Sequence, residues 1–158
     1  MRSSRVLVGV ALAMSATGCV SRPGTLDFAL APGAQWTVTI PATSTNTLHG
    51  TVTFVRTEPR TQTRAIFSLY GGTPNAILPW HVHYGVCGND QLIVGRPSNY
   101  PPLVLSSNGN LTAAAQLPIE LVERTSYVVH IHASAIDMKN TAACGALVPE
   151  RALATRPD

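Results

Sequence analysis

The chain holds five histidines, and four of them fall in two His-x-His pairs, His81-Val82-His83 and His130-Ile131-His132. A neutral imidazole is a common metal ligand, and its borderline-soft nitrogen suits copper and zinc. Side chains alternate along a β-strand, so residues two apart project from one face. Two such pairs on neighbouring strands would therefore converge as four donors on one patch. A single pair would read most simply as two exposed side chains. Two pairs in a chain with only 12% charged residues point instead to a metal. His49 has no such neighbour and reads as a surface residue. Zinc on three histidines, with water in the fourth position, is a minor variant of the same expectation.

The alternate positions of these two segments are apolar: Leu78, Trp80 and Val82 in one, Tyr127, Val129 and Ile131 in the other. Those sets must face a core, which places the histidines on the outer wall, where loops can cover them. The rest of the chain follows the same period of two, and no segment has a long helical face. Strands are expected at 34–40, 48–55, 64–70, 77–84, 103–107, 110–117, 126–133 and 143–148. Asn108-Gly109 gives the strongest hairpin signal, between 103–107 and 110–117. Residues 88–102, rich in Gly, Asn and Pro, read as a loop, and nothing in 149–158 would order a tail. Seven or eight short strands joined by turns make an all-β sandwich or small barrel, one domain over 34–148.

The N-terminus reads as an export signal over residues 1–18, with Arg2 and Arg5 before the apolar run Val6–Ala13. That run is too short to span a bilayer. Ala16-Thr17-Gly18-Cys19 is similar to a bacterial lipobox, making Cys19 a lipidated N-terminus and 19–33 a tether. The expected location is the periplasm or cell surface. Val20, in place of an inner-membrane-retaining aspartate, favours the outer membrane. Removing the signal leaves nine basic side chains against eight acidic ones, a net charge of +1, which gives no electrostatic footprint for nucleic acid. Setting Cys19 aside leaves Cys87 and Cys144. In an oxidising compartment these are expected to form a disulfide, contributing about 4 kcal/mol on the chain-entropy model.

The order of these landmarks resembles the copper–zinc superoxide dismutase family. His81-Val82-His83, with Gly85 and Cys87 after it, is similar to that family's copper-ligand and disulfide segment. Arg124-Thr125-Ser126-Tyr127-Val128-Val129-His130 looks like its later copper strand, and Ala142-Ala143-Cys144-Gly145 like its second disulfide segment. Gly50-Thr51-Val52-Thr53-Phe54 resembles the second strand, and Asn108-Gly109 a comparable hairpin. The resemblance spans about 34–148 and implies an eight-stranded Greek-key β-barrel with copper outside the wall. Its copper ligands fall on His81, His83 and His130, and His132 is a further candidate in place of a lost bridging ligand.

The departures are as specific. Residues 88–129 contain no histidine, so the family's zinc ligands are missing, and Asp90 alone cannot replace them. The arginine that attracts superoxide in the family is replaced by Thr141, and only Lys139 or Arg96 could substitute. The expected function is therefore copper holding or buffering in the cell envelope. A copper-only superoxide dismutase is the alternative, and a metal-free binding barrel the second.

Overall fold

A computed structural model of the protein describes residues 33–44 and 46–150. The expected signal, Cys19 and nearly all of the tether lie outside the described residues, as does the tail from 151. The described chain is all-β and antiparallel, with a single 3₁₀ turn at Pro97–Asn99. Eleven strands form: β1 Gln35–Ile40, β2 His49–Thr57, β3 Gln62–Tyr70, β4 Ile77–Leu78, β5 Trp80–Val86, β6 Asn89–Ile93, β7 Leu103–Val104, β8 Leu111–Leu117, β9 Tyr127–His132, β10 Thr141–Ala146 and β11 Val148–Glu150. A five-stranded sheet has the order β11-β1-β2-β3-β8 and a four-stranded sheet the order β10-β9-β5-β6, while β4 and β7 pair with each other. No closed barrel forms among the described residues; the strands divide into separate sheets.

Alternation explains both sheets. Trp36, Val38 and Ile40 of β1, Val52 and Phe54 of β2, and Ala65, Phe67 and Leu69 of β3 are buried. The threonines between them on β1 and β2 are less enclosed. Trp80 and Val82 of β5 and Val129 and Ile131 of β9 enter the same core from the other sheet. Trp80 anchors the join: Phe67 meets it edge-on at 4.7 Å, and its Nε1 donates to the Pro101 carbonyl at 2.7 Å. Burying such aromatics contributes a large share of the folding free energy.

Three expectations need correction. The stretch 88–102 is not all loop, because β6 pairs with β5 through a tight turn at Cys87-Gly88. Its sequence, Asn-Asp-Gln-Leu-Ile, has little strand propensity, and the backbone ladder to β5 supplies what the side chains do not. Asn108-Gly109 does form a turn, with Gly109 at φ 76° and its N–H donating to Ser106. The flanking segments nevertheless part company, β7 to β4 and β8 to β3. Pairing at those strands is decided by distant partners, which local turn chemistry cannot reveal. Finally, the ordered domain runs past 148, because β11 adds to the edge of β1. Glu150 there accepts hydrogen bonds from Gln35 Nε2 at 2.8 Å and Thr37 Oγ1 at 2.5 Å.

Candidate metal centre

The site is built on the antiparallel pair β5–β9, in which His81 lies directly opposite His130. The expected alternation holds, with Trp80, Val82, Val129 and Ile131 entering the core and the four histidines sharing the other face. That face is covered: His81, His130 and His132 are only 7%, 8% and 6% exposed. Tyr100 packs against His81 at 5.4 Å and donates its hydroxyl to the Val94 carbonyl. Burial raises the Tyr100 pKa, so it stays a neutral donor.

Side chains of an antiparallel pair reach diagonal neighbours as well as direct ones. Ring centroids here lie 5.4 Å apart for His81–His132 and 5.0 Å for His83–His130. Along the strands, His81–His83 and His130–His132 are separated by 5.9 and 6.1 Å. The four rings thus close a quadrilateral. Within it, one ligand atom each from His81, His83 and His132 lie within 4.8 Å of one another. The set favoured from sequence was His81, His83 and His130, with His132 as a further candidate. In the fold, His132 belongs with the first pair, and His130 turns toward other partners.

Those partners include a residue that sequence reasoning set aside. Asp90 Oδ2 lies 3.6 Å from His83 Nδ1, and its Oδ1 lies 3.6 Å from His130 Nε2. Asp90 stands opposite Gly85 in the β5–β6 ladder, so it shares the histidine face. A bulge between His83 and Gly85 adds a residue on β6. Gly85 makes the close approach possible, because it sits at φ +108° and a Cβ there would meet the Asn89 carbonyl oxygen at 2.7 Å. The signal was present in the sequence: a Cys87-Gly88 turn puts Asp90 across from Gly85, two residues beyond His83.

Electrostatics favour neutral rings at His81, His130 and His132. Burial is the main cause holding the His81 pKa down to about 4, and the nearby His132, His83 and His130 add to it. Burial likewise lowers His130 and His132, with Asp90 pulling the other way at both. The Met138 backbone also favours the charged form of His132, without making a hydrogen bond of normal geometry. His83 Nδ1 donates to the Gln91 carbonyl at 3.0 Å, which leaves the lone pair on Nε2. Yet His83 Nε2, His130 Nε2 and both ring nitrogens of His132 are buried without a hydrogen-bond partner. Leaving a buried polar group unpaired costs about 1–3 kcal/mol. Three of these rings thus carry unpartnered nitrogens on one face, and the donor set can hold a metal ion.

Cys87 and Cys144 form the expected disulfide, with Cα atoms 6.0 Å apart. It ties the start of the β5–β6 turn to β10, beside His130, and it indicates a non-reducing compartment. Among the described residues no helix is long and apolar enough to cross a membrane. His49 lies apart on β2, exposed, its Nδ1 on the Thr47 carbonyl. Lys139 and Arg96 are both exposed; the acidic charge beside the rings is Asp90. No protein-family model matches the chain, and no curated protein matches it.

Proposed function

We propose that this protein holds copper in the cell envelope, on His81, His83 and His132, using a superoxide dismutase-like domain. The observation that carries this reading is the set of buried imidazole nitrogens with no hydrogen-bond partner. Neutral His81 and His132 need lose no proton before binding at pH 7, and an all-imidazole set suits copper in both oxidation states. A bound copper ion supplies one-electron redox chemistry. The chain's own residues do the rest: Gln91 fixes the His83 tautomer, Tyr100 walls His81, and the covering segments limit access of water.

Holding is preferred to turnover on electrostatic grounds. A dismutase draws an anion toward its metal, whereas the charge facing these rings is the Asp90 carboxylate. The long return from β3 through the second sheet to β8 is the kind of connection a Greek key uses, and it supports the family resemblance. Export through a lipidated Cys19 accords with the disulfide.

The test is copper titration of the full chain with its disulfide intact, beside His81→Ala and His132→Ala. One copper per chain, lost in either variant, is expected. Unchanged stoichiometry in both variants would overturn the assignment. Superoxide consumption by the loaded protein should not exceed that of the His132→Ala control; fast histidine-dependent turnover would make it a copper-only dismutase instead.

A further inference from the structure

The three-imidazole group leaves His130 unused, although its ring is buried too. We propose that Asp90 joins His83 and His130 as a second, distinct cation site, a two-histidine–one-carboxylate group for a divalent transition-metal ion. It shares His83 with the copper reading but does not require that reading to hold.

Geometry carries the proposal. One ligand atom each from His83, Asp90 and His130 lie within 4.8 Å of one another. Both Asp90 contacts measure 3.6 Å, beyond a normal hydrogen bond. Metal bonds of about 2.0–2.2 Å separate tetrahedral ligand atoms by about 3.3–3.6 Å, so the Asp90 Oδ1–His130 Nε2 contact matches one edge of such a tetrahedron, while the other carboxylate oxygen faces His83. His130 Nε2, one of the two atoms facing the carboxylate, is buried with no hydrogen-bond partner. His83 can offer Nε2, or Nδ1 if it releases the Gln91 carbonyl. The Asp90 side chain is 29% exposed, which leaves an approach from solvent on the β6 side.

Chemistry separates the two groups. A carboxylate adds a negative charge and a hard oxygen donor, which favours a dipositive ion over Cu(I). The all-imidazole group lacks both. One face thus offers two ligand sets of different hardness, meeting at His83.

The experiment compares the full chain with Asp90→Asn and His132→Ala, using Zn(II) and the visible spectrum of Co(II) as divalent probes and Cu(I) as the monovalent one. Asp90→Asn preserves side-chain size at a partly exposed position, so folding is not at risk. It should weaken Zn(II) by at least about tenfold and abolish the Co(II) bands, while leaving Cu(I) affinity within about twofold. His132→Ala should do the reverse. Zn(II) affinity unchanged in Asp90→Asn would overturn the second site, as would Zn(II) binding lost in His132→Ala but kept in Asp90→Asn. Asp90-dependent Zn(II) binding in a chain that takes no Cu(I) would overturn the copper reading and leave this one standing.

Discussion

The two faces of the β5–β9 pair share one backbone and one register, yet they are organised on opposite principles. On the inner face, Trp80, Val82, Val129 and Ile131 are fully buried among apolar neighbours, and the Trp80 ring nitrogen has its acceptor. On the outer face the rings are almost as deeply enclosed, but His83 Nε2, His130 Nε2 and both His132 nitrogens are left without partners. The inner face lowers the free energy of the fold. The outer face raises it, a cost that a bound metal ion would offset. Burial alone therefore does not distinguish core from site; the clustering of unpartnered ring nitrogens on one face does, since the core holds a single such atom among the described residues, Trp36 Nε1.

The contrast can be broken by substitution, and the largest effect belongs to the inner face. Trp80→Ala should cost about 3–5 kcal/mol in denaturant unfolding, through the cavity it leaves, with or without copper. A loss below 1 kcal/mol would mean that Trp80 is not the join between the sheets. Removing the disulfide as Cys87→Ser with Cys144→Ser should cost about 2–4 kcal/mol, and calorimetry would read it as a lower Tm. Copper at about 100 times its Kd should add about 2.7 kcal/mol of stability, and His81→Ala should eliminate that gain.

Acid should act on the outer face. His81 titrates near 6.5 when unfolded and at about 4 when folded, so the unfolded chain binds more protons between those values. Stability of the metal-free protein is then greatest above pH 6.5 and is lost progressively as the pH falls toward 4. His130 and His132 act in the same direction. A flat urea midpoint across pH 7 to 5 would contradict this. The smallest effect sharpens the comparison most. His132→Leu removes two unpartnered buried nitrogens, so it should stabilise the metal-free chain by about 1 kcal/mol while losing copper. A destabilised variant would show that the ring is there for packing.

Local alternation was enough to make the chain all-β, to aim Trp80 and Val82 inward, and to set all four histidines on one covered face, because side-chain direction in a strand depends only on residue parity. Two cysteines beside an expected export signal were enough to anticipate the disulfide, because a non-reducing compartment leaves few alternatives. Register and partner choice are non-local, and there the sequence stopped short. It could not show that the segments around Asn108-Gly109 separate, or that β11 extends the sheet through Glu150. Nor could it show that rings group along diagonals, which joins His132 to His81 and sends His130 toward Asp90. Those arrangements depend on which strands lie side by side, on the bulge that re-aims β6, and on the space left by Gly85. They are properties of packed sheets, and no single segment contains them.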